Sequence, residues 1–435
     1  MHETWPPRPE DTNPSDRRNT SSAPSGNDAP PPPPPSQRTF HPQPEPAASD
    51  NHGRSTRRFG WPALLTSVAL AAVLGGGAGG LTAHYLDDGS PSASQEIRDS
   101  PQLNRTDNVT PTTEAAAIAS PSVVTLAVGG DQAEGSGSGV ILDEEGHILT
   151  NTHVVTLGGQ TAAAGVLVQT YDGEVYEAEV VGLDPMSDLA VVKIDAEGLQ
   201  PIEMGNAQDL NVGDQAVAIG APLGLSGTVT EGIISNLDRT ISVASSAVPE
   251  EQETPPEENP FEFRLPDNTE PPAAQGQIHL NVIQSDAAIN PGNSGGALVD
   301  GAGRLIGINV AIATRSEGNV GLGFAIPVEY AQRVAQELIE HGEASHGILG
   351  VTIVPAGEGA ISSGARIVEV VEDGPAADTT LQSDDVITAV DGQPVTDPGS
   401  LSATVREYPG GSEVELTVVR DGEEFTETVT LGTMN

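Results

Sequence analysis

The chain has 435 residues, no cysteine, and 62 Asp and Glu against 18 Lys and Arg, a formal net charge of −44. Its length admits two or three domains. The missing cysteine excludes disulfides, thiol nucleophiles and cysteine-based metal sites, and the charge excludes nucleic acid as a partner, because phosphate contacts need Lys and Arg.

The charge is unevenly placed. Residues 1–60 hold seven Arg and seven acids, so all of the excess lies beyond them, where 11 basic residues face 55 acidic ones. Lys193 is the only lysine. Such a surface suggests an exterior built for high salt or strong solubility demands. The nine histidines include no H-x-x-x-H pair beside a carboxylate, so no zinc or other metal site is expected and no cofactor is implied.

Residues 1–58 are rich in Pro, Ser and Asn, with six consecutive prolines at 30–35. They cannot bury a core and are expected to form a disordered cytoplasmic tail with local polyproline II. Residues 59–86 follow as a candidate single transmembrane helix. No charged residue falls between Arg58 and Asp87, a run long enough for the ~20 residues a spanning helix needs. Arg54, Arg57 and Arg58 precede it, which predicts the N-terminus inside, and Trp61 and Tyr85 fall at the two expected interfaces. The rival reading is a cleaved signal peptide, but the polar lead-in is far longer than a signal's. The GxxxG spacings at Gly75/Gly79 and Gly76/Gly80 permit helix pairing. Residues 87–113 read as a polar linker.

From 114 to 342 the pattern is of short strands between Gly-rich turns, as in "SVVTLAV", "GSGVIL", "DLAVVKI", "QAVAIG", "GTVTEGIIS", "RLIGINVAI" and "GLGFAI". That predicts an all-β barrel or sandwich. One helix closes the region, with Pro327 in its first turn and an apolar stripe of Ala331, Val334, Ala335, Leu338 and Ile339. An acidic, Pro-rich insert at 243–275 interrupts the strands. A loop of that length inside a domain is either functional or disordered. Residues 343–435 form a separate α+β unit, with a short helix at 375–380 and a longer one at 400–407.

The stretch "INPGNSGGALVD" at 289–300 raises the question of chemistry. Gly, Asn, Pro and Ser are ordinary turn residues, so Ser294 alone reads equally as a turn serine or a nucleophile. A serine that attacks a carbonyl needs a sharp turn whose N–H groups point at the forming oxyanion. Gly292, Asn293 and Ser294 are placed to supply them. His153, in "TNTHVV", follows a β-branched strand and a polar turn, with His147 as a competitor at the start of that strand. Asp188, in "DPMSDLAVVKI", opens a nearly continuous apolar run, an odd place for an unpartnered carboxylate. Asp184 beside Pro185 reads as an ordinary turn residue. The chain order His153, Asp188, Ser294 matches the chymotrypsin-type double barrel and not the subtilisin or α/β-hydrolase orders.

At these residues the chain resembles the HtrA/Deg family of serine proteases. The likeness rests on "GSGSGVIL" (135–142), "TNTHVV" (150–155), "SDLAVVKI" (187–194), "AIGAPLGLSGTVTEGIIS" (218–235), "QSDAAINPGNSGGALVD" (284–300) and "LIGINVAIAT…GLGFAIP" (305–327). It implies a mainly β chain, with a chymotrypsin-like double β-barrel protease domain followed by one α+β PDZ domain. His153 would be the general base, Asp188 its orienting acid and Ser294 the nucleophile, with Gly292 and Ser294 the main oxyanion donors. Ile289 and Ile312 match positions lining the first specificity pocket, and Ala288 stands six residues before Ser294, so a trypsin-like acid is not expected at the pocket floor. The resemblance implies cleavage of unfolded protein after small apolar residues, and homotrimers.

The C-terminal unit resembles a PDZ domain of that family. "GILGV" (347–351) matches the carboxylate-binding loop, so Ile348, Leu349, Gly350 and Val351 would receive a peptide C-terminus. Where the family commonly has A-G-L-x-x-G-D, this chain has Thr379, Thr380, Leu381, Ser383 and Asp384, so two glycines are missing. The alternative to a membrane-anchored, extracytoplasmic protease is a non-catalytic PDZ-bearing chaperone or stress sensor.

Overall fold

The computed structural model describes residues 109–129, 134–161, 165–221, 227–247, 277–310, 321–357 and 363–434. The expected tail, the apolar run at 59–86, most of the linker, most of the acidic insert and Ile312 lie outside these residues. Among the described residues no helix is long and apolar enough to cross a membrane.

Twelve strands close into two barrels. β1 (Val123–Gly129), β2 (Glu134–Ile141), β3 (His147–Thr150), β4 (Gly165–Gln169), β5 (Val175–Asp184) and β6 (Leu189–Ile194) form the first. Its order around the barrel is β1-β2-β3-β6-β5-β4. β7 (Gln215–Gly220), β8 (Thr228–Ala244), β9 (Gln277–Ser285), β10 (Ala297–Val299), β11 (Leu305–Val310) and β12 (Gly323–Pro327) form the second, in the order β10-β11-β12-β9-β8-β7. Closure removes the edges that open sheets must otherwise protect. Leu126, Val128, Ile141, Ile148, Val168, Val192 and Ile194 fill the first interior. Ala218, Ile234, Ile283, Leu298 and Ile306 fill the second. Gly139 is required in the first: a Cβ there would come within 2.5 Å of Ile148 Cγ2.

A further apolar cluster joins the barrels to two helices. α1 (Pro111–Ala119) starts inside the stretch read as linker, so residues 111–113 belong to the first element and not to a spacer. Thr110 caps it by accepting from the Thr113 N–H at 3.2 Å, and proline occupies its first turn. One turn, α2 (Thr152–Val155), follows β3 where only a polar turn was expected. The closing helix, α3 (Val328–His341), buries Ala331, Val334, Ala335 and Leu338 as its stripe predicts, while Ile339 stays half-buried. Pro327 is its N-cap and Gly342, at φ +80°, ends it.

The last unit has its own core, including Leu349, Ile367, Ile387, Leu401, Leu416 and Val429. β13 (His346–Ile348) pairs with the terminal β20 (Gly432–Met434). β14 (Val351–Pro355), β15 (Ala365–Val370), β16 (Val386–Val390), β18 (Glu413–Arg420) and β19 (Glu423–Thr430) make the main sheet, with β17 (Gln393–Pro394) on β16. α4 (Pro398–Glu407) is held by a capping box between Asp397 and Ser400. The expected short helix is a single 3-10 turn, Pro375–Asp378.

Side chains replace the two missing glycines. Asp384 takes the left-handed conformation at φ +74°, which Asp tolerates better than most residues. Its carboxylate accepts from Arg366 Nη1 at 2.9 Å. Thr380 donates its N–H and hydroxyl to Glu427 at 3.0 and 2.6 Å.

This unit packs on the second barrel through α4. Thr404 Oγ1 accepts from Asn281 Nδ2 at 3.0 Å, and Asn281 Oδ1 accepts from Thr240 Oγ1 at 2.7 Å. It also reaches the first barrel. The buried ring of His346 meets Asp184 Oδ2 at 2.9 Å through Nε2 and the Arg406 carbonyl at 3.1 Å through Nδ1. Both nitrogens face acceptors. Asp184 is therefore no ordinary turn aspartate: it is only 4% exposed and pins the two units together.

Candidate active site

Three loops meet where the two barrels face each other. The first is the turn after β3, which carries His153 on α2. The second is the turn entering β6, which carries Asp188. They are stitched together by the backbone. The Asp188 carbonyl accepts from the Thr152 N–H at 3.1 Å and from Asn151 Nδ2 at 2.9 Å. Asp188 itself adopts φ +55°, which turns its carboxylate back toward α2.

The Asp188 carboxylate is fully buried. Burying a charge is costly unless it is hydrogen-bonded, and here three donors converge. Oδ1 accepts the His153 backbone N–H at 2.9 Å and Ser246 Oγ at 3.3 Å. Oδ2 faces His153 Nδ1 at 2.7 Å. A carboxylate has no proton to give, so Nδ1 carries the hydrogen and the neutral ring presents a lone pair at Nε2. The His153 side chain is 12% exposed, enough to reach a substrate at the surface.

The third loop is the turn between β9 and β10, with Ser294 at its tip. Asn293 N–H donates to the Asn290 carbonyl at 3.0 Å, and Gly296 N–H to the Asn293 carbonyl at 2.9 Å. Asn309 on β11 brackets the turn, accepting from Gly295 N–H and donating to the Gly296 carbonyl, each at 2.9 Å. Gly295 sits at φ +79°, and a Cβ there would lie 2.2 Å from the Ser138 carbonyl. Only glycine fits that position.

The expected oxyanion donors divide. The Gly292 N–H has no acceptor among the described residues. Asn293 is a correction: its N–H is bound inside the turn, so it closes the turn and does not point at a substrate. Ile289 is 8% exposed, and a Cβ on Gly323 would come within 3.0 Å of its Cδ1. Ile312 lies outside the described residues.

The competitors of His153 and Asp188 fall elsewhere. His147 meets Asp143 in its own hairpin, ring Nδ1 to Oδ2 at 2.6 Å, and gives its N–H to Oδ1 at 3.0 Å. Burial would raise the Asp143 carboxyl, but these two bonds outweigh it and hold it below the usual carboxylate range. Asp184 is engaged by His346.

In the last unit, Ile348 is exposed and Leu349 buried. Gly350 sits at φ +75°, where a Cβ would come within 2.7 Å of Pro375 Cδ, and Val351 opens β14. The N–H groups of Leu349 and Gly350 have no backbone acceptor among the described residues. Among those residues no group of three His, Asp or Glu is placed to hold a metal ion.

The trypsin-like peptidase domain profile matches residues 137–308, and the PDZ domain profile matches 347–431. The chain is 38% identical over 383 residues to serine protease PepD of Mycobacterium tuberculosis, covering 85% of this chain and 76% of that protein. The chain belongs to the HtrA/DegP-type serine proteases. Its enzyme class is that of the serine endopeptidases, with a trypsin-like domain and one PDZ domain. It is also 39% identical over 303 residues to a probable periplasmic DegP-like serine endoprotease of Halomonas elongata, but spans only 56% of that protein's length. Among solved structures it resembles the HtrA-type protease AlgW with a tripeptide, at 36% identity and TM-score 0.54, over 74% of this chain and 97% of that one.

Two polar residues of this HtrA-type site were not legible in the sequence. Asn151 fixes the Asp188 backbone, and the polar run Thr150–Thr152 before His153 is its only trace. Ser246 reaches Asp188 from 58 residues away, and nothing in its surroundings distinguishes it from its neighbour Ser245.

Proposed function

We propose that this protein is an ATP-independent endopeptidase that cleaves unfolded or misfolded extracytoplasmic proteins after small apolar residues. The observation that carries this reading is the double hold of Asp188 on His153, by the ring at 2.7 Å and by the backbone at 2.9 Å. With Nδ1 protonated and held, Nε2 is the base that takes the Ser294 hydroxyl proton as Oγ attacks a peptide carbonyl. Asp188 stabilises the imidazolium that forms. The proton passes to the leaving amine, and water then hydrolyses the acyl-enzyme by the reverse route. The N–H groups of Gly292 and Ser294 stabilise the tetrahedral oxyanion. No cofactor enters this sequence.

The buried Ile289, with Ile312, gives the first pocket an apolar character, so small apolar side chains are preferred, although such pockets discriminate modestly. The C-terminal domain, 343–435, takes peptide C-termini at Ile348, Leu349, Gly350 and Val351 by strand addition to β14. The positive φ of Gly350 and the open N–H groups beside it support that role. The protease domain runs from α1, which starts at Pro111, to 342; residues 59–86 anchor the chain to the membrane with 1–58 inside, and the linker from 87 ends before α1. The periplasmic description of the DegP-like relative supports the extracytoplasmic placement. The assembly is a homotrimer.

The test is fluorophosphonate labelling of the wild type and Ser294→Ala, with and without unfolded protein and apolar C-terminal peptides. Labelling confined to the wild type supports the reading, and stimulation by peptide supports gating through the PDZ domain. A folded wild type that never labels overturns it in favour of a chaperone that binds without cutting.

A further inference from the structure

Ser138 lies on β2 in the first barrel, yet its bonds cross to the second. The residue is fully buried. Its hydroxyl donates to the Gly292 carbonyl at 2.7 Å and accepts the Ala221 N–H at 2.8 Å. Its backbone N–H donates to the Ser294 carbonyl at 2.8 Å. Its own carbonyl accepts Thr150 Oγ1 at 2.7 Å. One side chain and one peptide group therefore grip the nucleophile's turn at two carbonyls, on either side of Asn293. Thr150, three residues before His153, braces them from behind.

The grip matters because a peptide unit has two ends. Fixing the Gly292 carbonyl toward Ser138 fixes the opposite direction for the Asn293 N–H, which points at the Asn290 carbonyl at 3.0 Å. The Gly292 N–H belongs to the preceding peptide, is coupled to that carbonyl only through the Gly292 φ of +103°, and has no acceptor among the described residues. Glycine at this φ has a low barrier to other backbone conformations. The local Asn293–Asn290 bond and the cross-barrel bond from Ser138 together hold this peptide in the arrangement that leaves the Gly292 N–H open. Space around the hydroxyl is tight: a Cβ on Gly220 would lie 2.9 Å from Ser138 Oγ, and a Cβ on Gly296 would lie 3.1 Å from Ser138 Cβ.

We infer that Ser138 is a positioning residue for the oxyanion hole, holding the 291–294 turn from the opposite barrel in the orientation that leaves the Gly292 N–H free for substrate. The inference rests on the reading of Ser294 as nucleophile. It predicts that removal of the hydroxyl weakens transition-state binding and leaves ground-state binding in place.

Ser138→Ala in the full chain is compared with wild type on a fluorogenic peptide cleaved after valine, and with a peptide boronic acid that mimics the tetrahedral adduct. Loss of a single oxyanion donor costs about 10²–10³ in kcat, so a donor left in place but poorly held is expected to lower kcat by about 10–100-fold. KM stays within about twofold, and boronate affinity falls in step with kcat. Equal rises in KM and falls in kcat, or a folded variant with wild-type kcat, overturn the proposal. If Ser138→Ala melts far below wild type, Ser138→Cys replaces it, since its thiol fills the site and donates weakly. A reduced kcat at unchanged KM then supports the grip, and wild-type kcat overturns it. Ser294→Ala is run in parallel. If it retains turnover, the nucleophile assignment fails and this proposal with it. If it is inactive while Ser138→Ala behaves as wild type, only the role of Ser138 fails.

Discussion

Glu407, the last residue of α4, faces the protease domain where the PDZ domain packs against it. Its Oε1 is buried without a partner. Burial pushes its carboxyl up to about 7 from an ordinary 4.5, and Asp238 adds to the rise. A hydrogen bond from Asn281 and the charge of Arg333 act the other way without offsetting it. The folded state thus holds a proton between about 4.5 and about 7 that the unfolded chain releases. Stability from this group is full below 4.5 and is lost as pH rises through about 7. At about 1.4 kcal/mol per unit the full gap is worth ~3 kcal/mol. The side chain is only half-buried, and solvent screening reduces the expected effect to about 1–2 kcal/mol. Glu407→Gln keeps the shape and removes the charge. Urea midpoints followed by circular dichroism at pH 5 and pH 8 are the assay. The variant is expected to match wild type at pH 5 and to exceed it by about 1–2 kcal/mol at pH 8. A pH dependence identical to wild type, or a variant weaker at pH 8, refutes the reasoning.

Three further outcomes are expected. Asp188→Asn lowers kcat by about 10⁴ with KM little changed, because the amide no longer enforces the Nδ1–H tautomer; initial rates on the valine peptide check this, and a loss under tenfold contradicts it. Ser246→Ala lowers kcat only about two- to fivefold, since Asp188 Oδ1 keeps the His153 N–H at 2.9 Å and an ordinary hydrogen bond is worth ~1 kcal/mol; a hundredfold loss argues that the hydroxyl does more. Asp184→Ala leaves the buried His346 ring without its Nε2 partner and is expected to cost about 1–3 kcal/mol; thermal melting reads the loss, and limited proteolysis between the domains quickens with it.

The order His153, Asp188, Ser294 and the two-domain plan could be read from the sequence because they depend on local pattern. Alternating strands with glycine turns predict the barrels, and the stripe from Ala331 to Leu338 predicts α3. The stretches holding His153, Asp188 and Ser294 carry distinctive turn chemistry in a telling order. At 379–384, where two glycines are missing, Asp384 takes the left-handed conformation and Asp384 and Thr380 are each hydrogen-bonded. What the sequence hid is pairing across distance. Ser138 and Gly292 are 154 residues apart, His346 and Asp184 are 162 apart, and Thr404 and Asn281 are 123 apart. A lone serine or histidine has no periodicity, so its partner is unknown until the barrels close. The direction of each peptide in the 290–294 turn is likewise undetermined by composition, and that is why Asn293 read as a donor. The residue types set which chemistry is available; tertiary packing, by aiming the Gly292 carbonyl at Ser138 and the Asn293 N–H at Asn290, decided which peptide groups of the turn are already bonded.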